Sequence, residues 1–201
     1  MQISNFAVVF DTNVLFPQCL RDLMIRLAMK DLFRAKWSHR ILDELKNSLL
    51  EKDRSHAEKL CQPAKLNHER LDRLIDLMNN AVRDCLVTGH EDIEKSLNLP
   101  DPKDNHVLAA AIRAGADAII SWNLKDFPTK MISKFDIEVQ TPDEFVINLI
   151  DLNLDEVLDA VKQQRAALKN PTYSQDQMLL SYKRNNLLGF VQSLHNFKHL
   201  I

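Results

Sequence analysis

The stretch Phe6-Ala7-Val8-Val9-Phe10-Asp11-Thr12-Asn13 decides the fold. Its run of five apolar residues, which ends at Asp11, predicts a first β-strand. In open α/β sheets the active site lies beyond the carboxyl ends of the strands, and Asp11 stands at such an end. The stretch therefore predicts an α/β fold and marks one residue of its functional edge.

Strands and helices alternate along the following residues. After the first strand, the predicted strands are 33–37, 118–121 and 137–139. Apolar residues at helical spacing lie between them; Ser38 is the expected N-cap of one helix, and Gly115 is expected to end another over 103–114. This alternation predicts a central, mostly parallel sheet that is flanked by helices.

The last fifty residues carry no strand signal. A helical pattern runs over 154–168, the pair Asn170-Pro171 breaks it, and Ser174 is the expected cap of a last helix that reaches Phe197. We therefore expect residues 1–150 to form the α/β domain and residues 151–201 to form an α-helical C-terminal extension of two helices.

Carboxylates from distant segments form the second informative pattern. Asp11 ends the first strand, Glu44 lies in an amphipathic helix, Asp101 and Asp104 precede a helix, and Asp126 follows a later strand. Each alone is an ordinary helix cap or surface residue. Gathered together, they would repel one another and need a cation. Mg²⁺, or alternatively Mn²⁺, suits a site made of oxygen ligands, so the pattern favours metal-dependent phosphate chemistry.

Composition argues against several other classes. No apolar stretch reaches the roughly 20 residues that span a bilayer, and residues 1–5 lack the basic start of a signal peptide. The three cysteines have no CxxC spacing, which argues against a zinc or disulfide framework and favours the cytoplasm. With three glycines the chain has neither a phosphate-binding loop nor a GxGxxG motif, so a nucleotide-binding enzyme is disfavoured.

Four motifs in order resemble the PIN-domain family, and in particular its VapC-type toxin ribonucleases. The matching segments are Val8-Val9-Phe10-Asp11-Thr12-Asn13-Val14-Leu15, Ser38-His39-Arg40-Ile41-Leu42-Asp43-Glu44-Leu45, Asp101-Pro102-Lys103-Asp104-Asn105-His106-Val107-Leu108-Ala109-Ala110-Ala111, and Ile120-Ser121-Trp122-Asn123-Leu124-Lys125-Asp126-Phe127-Pro128. The resemblance covers approximately residues 5–147, and the tail resembles the helical extension of a larger subgroup of these toxins.

The resemblance implies roles for individual residues. Asp11, Glu44 and Asp104 match the family's acidic metal-site positions and are the expected metal ligands and catalytic residues. Asn13 and Ser121 match polar positions that support the site in relatives, and Thr12 does so with a weaker match.

One position departs from the family pattern. The family's fourth acidic position falls near Asn123, which is an amide here. Asp126, three residues later, or Asp101 is expected to supply the missing charge. We therefore add Asp126 to the expected catalytic set and treat Asp101 and Asn123 as supporting residues.

The implied activity is Mg²⁺-dependent hydrolysis of RNA phosphodiester bonds, with tRNA or ribosomal RNA as the usual targets of the class. The resemblance also implies a cognate antitoxin protein and a homodimer. Two alternatives stay open: a housekeeping PIN ribonuclease of RNA processing, and a catalytically silent RNA- or protein-binding module. The amide at Asn123 keeps the silent module open, whereas three retained carboxylates argue against it.

Basic residues of the tail are the candidate RNA contacts, because lysine and arginine bind phosphates without reading sequence. The candidates are Lys162, Arg165, Lys169, Lys183 and Arg184, with Trp122 as a residue that stacks on a base. His106 lies beside the predicted site but is expected to be structural or to face solvent. The proposed chemistry requires no histidine.

Overall fold

A five-stranded parallel sheet forms the centre of the part of the chain that the structure, a computed structural model, describes, which is residues 6–201. The strand order is β3-β2-β1-β4-β5. The strands are β1 (Ala7–Phe10), β2 (Arg34–Ser38), β3 (Leu86–Val87), β4 (Ala118–Ile120) and β5 (Glu138–Gln140). The predicted mostly parallel sheet is confirmed. Residues 1–5 of the predicted first domain lie outside the described part.

Helices connect the strands and make up the C-terminal region. The α-helices of the described residues are α1 (Thr12–Leu15), α2 (Gln18–Met29), α3 (His39–Lys59), α4 (His68–Ala81), α5 (Glu91–Ser96), α6 (Asn105–Ala114), α7 (Thr129–Ile132), α8 (Pro142–Leu152), α9 (Leu154–Ala167), α10 (Gln175–Arg184) and α11 (Leu188–Leu194). Short 3-10 turns lie at Pro102–Asp104, Leu124–Asp126, Ser133–Phe135 and His195–Leu200. Within residues 6–201, no helix combines the length and apolar character needed to cross a membrane.

Local sequence signals account for several helix boundaries. The Ser38 hydroxyl accepts a hydrogen bond from the backbone N–H of Ile41 at 3.3 Å and so caps α3. Gly115 ends α6 in the left-handed conformation, at φ 56°, which costs a residue without a Cβ little. Thr141 begins α8 with a capping box that Glu144 completes. The boundaries at Ser38 and Gly115 confirm the sequence prediction.

Strand β1 is the buried centre of the sheet, and all four of its residues are fully buried. It pairs with β2 on one side and with β4 on the other, and α6 packs against all three strands. The chain leaves β1 toward β2 and later returns on the other side to β4, so the strand order reverses between β1 and β4. Ligands of open α/β sheets bind at the carboxyl ends of such strands.

The C-terminal helices pack on the sheet-bearing part of the chain. Helix α9 contacts α2, and α11 contacts α8. Gln164 joins two of these regions because its amide donates to the Cys19 carbonyl at 2.8 Å and accepts from the Tyr182 hydroxyl at 2.6 Å. Lys30, which directly follows α2, forms ion pairs with Glu156 and Asp159 of α9. The boundary near residue 150 stays a prediction.

The prediction of a single last helix was wrong. The helix that Ser174 caps ends at Arg184, and α11 begins four residues later at Leu188. Between them Asn186 adopts a left-handed backbone at φ 61°, which asparagine tolerates better than most residues. The described tail after residue 153 therefore has three α-helices and a final 3-10 turn instead of two long helices.

Asp143 provides a test of how the tail is held. Its carboxylate accepts backbone hydrogen bonds from Gly189 at 2.8 Å and Phe190 at 2.9 Å, at the start of α11. We expect Asp143→Ala to lower the free energy of unfolding by about 1–3 kcal/mol, because two backbone donors lose a charged acceptor. Urea unfolding followed by circular dichroism measures this.

Asp155→Ala is the matched control, because Asp155 is also an acidic residue in the first turn of a helix and is exposed. Its removal should change stability by less than about 0.5 kcal/mol. Equal losses of stability in the two variants would show that the carboxylate of Asp143 stabilises only the dipole of its own helix, α8, and does not hold α11.

Candidate active site

A cavity of about 620 Å³ opens at the carboxyl edge of the sheet. It collects acidic residues from the end of β1, from helix α3, from the 3-10 turn Pro102–Asp104 together with the residue that caps it, and from the 3-10 turn Leu124–Asp126. The lining residues are Asp11, Thr12, Asn13, Phe16, Glu44, Ser48, Asp101, Lys103, Asp104, Asn123 and Asp126. The fold thus brings all five carboxylates singled out in the sequence to one cavity.

Asp11 is held by neutral hydrogen-bond donors. Its Oδ2 atom accepts from the Ser121 hydroxyl at 2.6 Å and from the Asn13 amide at 2.5 Å, and Asn13 also donates to Ser121 at 3.0 Å. The Asn13 carbonyl oxygen in turn accepts the backbone N–H of Trp122 at 3.1 Å. Burial raises the pKa of Asp11, and the Ser121 hydrogen bond opposes that rise. The network therefore fixes the carboxylate without neutralising it.

Glu44 enters the cavity from α3 and has partners at both oxygens. His106 Nε2 lies 2.9 Å from Oε1, and the Thr12 hydroxyl donates to Oε2 at 3.0 Å. Arg40, one turn earlier, is 3.7 Å from Oε1 and also pairs with Glu94. Burial raises the pKa of Glu44, but the contacts with His106, Thr12 and Arg40 outweigh it, and the pKa is lowered overall. Glu44 thus stays ionised.

Asp104 carries the clearest sign of crowded negative charge. Its pKa is raised to about 7, first by burial and then by the neighbouring charges of Asp11, Asp126 and Asp101. A hydrogen bond with Asp126 acts in the same direction. An aspartate ordinarily ionises near 3.8, so these carboxylates act on one another through the cavity.

The loop that carries Asp101 and Asp104 is fixed by Asn105. The Asn105 side chain accepts from the backbone N–H of Leu99 at 3.0 Å and donates to the Leu97 carbonyl at 3.1 Å. Asp101 accepts the backbone N–H of Lys103 at 2.9 Å and caps the 3-10 turn. Part of its bonding capacity is therefore used within the loop.

Asp126 and Asn123 form a hydrogen-bonded pair in the cavity lining. The Asn123 amide donates to the carboxylate of Asp126, and its backbone N–H donates to the Ser121 hydroxyl at 3.0 Å. Since the same hydroxyl bonds Asp11, Asn123 is linked to the central carboxylate through Ser121. Both residues line the cavity.

The donor set fits a hard divalent cation by its chemistry. In residues 6–201, no three side chains of His, Cys, Asp or Glu lie close enough together to hold a metal ion as they stand. The cavity nevertheless offers carboxylate oxygens, which Mg²⁺ and Mn²⁺ prefer. The raised pKa of Asp104 also shows excess negative charge that a cation would neutralise.

The predicted RNA contacts lie away from this cavity. The basic residues of the tail are exposed or partly exposed on α9, on α10 and in the loop between them, and none belongs to the cavity lining within the described chain. Arg165 donates to the Tyr173 carbonyl at 3.0 Å and so also holds that loop. Trp122 is partly buried against the core. Their role in RNA binding stays a prediction.

Sequence reasoning missed several residues of the site. Phe16, Ser48 and Lys103 line the cavity, and only their proximity to the motifs could have indicated them. His106, which was expected to be structural or to face solvent, is buried with 1% of its surface exposed and contacts Glu44. In the sequence, its position two residues after Asp104 was the feature that could have indicated a place in the site.

Comparison with known families covers both parts of the chain. Residues 7–125 match the family described as PIN domain, which is more than half of the chain. Residues 142–196 match the family described as VapC50 C-terminal domain. The two matches lie in the order expected from the resemblance of the four motifs and the tail.

A curated relative gives a similar picture over a shorter stretch. The chain is 36% identical over 73 residues to a protein of Mycobacterium tuberculosis (strain ATCC 25618 / H37Rv) named "Putative ribonuclease VapC50". The match covers 36% of this chain and 43% of the relative, so it spans less than half the length of that protein. No solved structure matches the chain significantly.

The raised pKa of Asp104 predicts how stability depends on pH. The folded, metal-free protein keeps a proton at Asp104 up to about pH 7, whereas the unfolded chain loses it near 3.8. The folded state therefore binds more protons in this range, and the contribution of Asp104 to stability is lost as the pH rises through 7. In EDTA, Asp104→Asn should be more stable than the wild type at pH 8 by on the order of 1 kcal/mol, allowing for solvent screening, and this difference should be clearly smaller at pH 5.

Urea unfolding at the two pH values measures this difference. Asp92→Asn is the control, because the Asp92 side chain is 95% exposed and lies outside the cavity lining. An Asp104→Asn protein whose stability relative to the wild type is the same at pH 5 and pH 8 would contradict the crowding of carboxylates.

Proposed function

We propose that this chain, which belongs to the PIN-domain family and carries a region matching the VapC50 C-terminal domain, is a metal-dependent endoribonuclease. We further propose that it acts as the toxin of a toxin–antitoxin pair. One observation carries the proposal: five carboxylates line a single cavity, where burial and the charges of its neighbours together raise the pKa of Asp104 to about 7. The match to a relative named as a ribonuclease supports the same activity.

Asp11, Glu44 and Asp104 would hold the Mg²⁺ or Mn²⁺ ion. When bound, such an ion lowers the pKa of a water molecule and stabilises the negative charge that develops on the phosphate. Asp11 is oriented for this by Ser121 and Asn13, whose neutral donors leave its charge available.

Asp126 is the better candidate for the fourth carboxylate. It forms a hydrogen bond with Asp104, and the Asn123 amide holds it in the cavity. Asp101 also lines the cavity, but its carboxylate accepts the backbone N–H of Lys103. We infer that Asp126 acts at the position where relatives place their fourth acid, and that it accepts a proton from the attacking water.

The substrate is proposed to be an RNA with unpaired bases, such as a loop of tRNA or ribosomal RNA. A protein reads RNA sequence mainly in single-stranded loops, since the deep groove of A-form RNA excludes side chains. Lys103 at the cavity offers a cation for a phosphate next to the cleaved bond. The lysines and arginines of the tail would add affinity without sequence preference.

The biological partners follow from the family alone. We propose a cognate antitoxin protein that occupies the acidic cavity and silences the enzyme in the cytoplasm, and a homodimer as the assembly. A gene for a small protein next to the gene of this chain would support the toxin role over a housekeeping role in RNA processing.

Asp11→Asn tests the activity directly. The variant should lower the rate of RNA cleavage by about 100-fold or more, on the scale of losing one group that stabilises the charge of the transition state. It should fold normally, because asparagine keeps the shape of the side chain and removes one repelling charge. The assay is cleavage of total bacterial RNA with Mg²⁺ or Mn²⁺ and with EDTA, beside circular dichroism.

Asp92→Asn serves as the control and should cleave at the wild-type rate, since Asp92 is exposed outside the cavity lining. Cleavage by Asp11→Asn at the wild-type rate would sink the assignment of Asp11. RNA binding without cleavage under any metal would favour the silent binding module.

A paired comparison separates the two candidates for the fourth carboxylate. Asp126→Asn should lower the cleavage rate about 10-fold to 100-fold, because a charge beside Asp104 is lost. Asp101→Asn should change the rate less than about threefold, because asparagine still accepts the backbone bond of a helix cap. The opposite order would assign the role to Asp101.

A further inference from the structure

We propose that His106 is a positioning residue of this site: it fixes Glu44 through one hydrogen bond, so that metal affinity depends on a side chain that does not touch the metal. The inference rests on the proposed function, because it takes Glu44 as a metal ligand. It assigns a role to a histidine that the family motifs leave without one.

The contact between the two side chains is direct. His106 is the second residue of α6 and has 1% of its surface exposed. Its Nε2 atom lies 2.9 Å from Glu44 Oε1. Helix α6 packs against β1, β2 and β4, so the imidazole is anchored on the most buried part of the fold. A hydrogen bond from so rigid a donor holds its acceptor in one place.

The geometry of the two donors connects the three proposed ligands. Glu44 accepts from His106 at one oxygen and from Thr12 at the other, 3.0 Å away. Thr12 directly follows Asp11, and His106 lies two residues after Asp104. Glu44 comes from a different helix, α3, yet each of its oxygens is bonded to a segment that carries another carboxylate of the site. The three acidic residues are thereby held in fixed positions relative to one another.

The Glu44 side chain would be mobile without these two hydrogen bonds. Its side chain is 38% exposed, and a glutamate has three rotatable bonds, so an unrestrained carboxylate would sample several rotamers. Ordering it upon metal binding would cost conformational entropy. The hydrogen bonds of His106 and Thr12 order the carboxylate beforehand, which favours binding.

His106 is not placed to bind the metal or the substrate itself. Its Nε2 atom is occupied by Glu44, and Nδ1 is buried with no hydrogen-bond partner among the described residues. The residue is also not part of the cavity lining. Its influence on the site therefore runs through Glu44.

Metal titration separates this role from a merely structural one. The probe is Mn²⁺, added alone to the full chain and followed by isothermal titration calorimetry. His106→Leu should weaken Mn²⁺ binding about 10-fold to 100-fold, the usual effect of losing a hydrogen bond to a metal ligand. His106→Gln should stay within about threefold of the wild type, because its amide nitrogen reaches nearly as far as Nε2 and keeps the donor.

A double-mutant cycle with Glu44→Ala shows whether the effect runs through Glu44. If it does, adding His106→Leu to Glu44→Ala should weaken binding by less than about threefold, because the shared interaction is already lost. Loss in the double variant equal to the product of the two single losses would overturn the proposal.

His90→Leu is the matched control. His90 is also buried, with 5% of its surface exposed, and its Nδ1 has no hydrogen-bond partner within residues 6–201, but it lies outside the cavity lining. It should bind Mn²⁺ like the wild type. If His106→Leu does not fold, His106→Asn takes its place, since the shorter amide cannot reach Glu44; thermal unfolding checks each variant.

The outcomes distinguish this inference from the proposed function. Wild-type Mn²⁺ affinity in a folded His106→Leu or His106→Asn protein would overturn the role of His106 while leaving the ribonuclease standing. A wild-type protein that binds no Mn²⁺ at millimolar concentration would overturn the metal site and, with it, this inference.

Discussion

Repulsion between carboxylates is the constraint on which the site depends. The parallel sheet directs Asp11 to the same edge as the loop of Asp104 and the turn of Asp126. Burial, together with the charges of the neighbouring aspartates, raises the pKa of Asp104 to about 7. Such an arrangement costs folding energy in the absence of a counter-charge. A cation that binds the cavity would recover that energy, so the same feature that destabilises the metal-free protein would drive metal binding.

The residues that hold the carboxylates are mostly neutral. Asp11 is held by a hydroxyl and an amide, and Asp126 by the amide of Asn123. Arg40 approaches Glu44 but remains 3.7 Å away and is shared with another glutamate. Lysine or arginine partners in their place would cancel the negative charge. Neutral donors fix the position of each carboxylate and leave its charge for an ion, as a metal site requires.

The predictable parts of the structure are those with local causes. Three boundaries are each determined within a few residues: by the apolar run before Asp11, by the cap at Ser38 and by the glycine after α6. Strand β1 and helices α3 and α6 were therefore predicted from the sequence. Strand β3 has two residues, too few to show a pattern. The break between α10 and α11 depends on how the tail packs. The burial of His106 depends on its contact with Glu44 of α3, and no local sequence pattern predicts such a contact between distant segments.

The most direct test of the account is where a metal ion binds. We would soak crystals of the protein with Mn²⁺ and calculate an anomalous difference map, which locates the ion without assumptions about activity. The account predicts a peak in the cavity between Asp11, Glu44 and Asp104, absent from crystals of Asp104→Ala. No peak in this cavity at saturating Mn²⁺, or a peak only elsewhere on the protein, would contradict it.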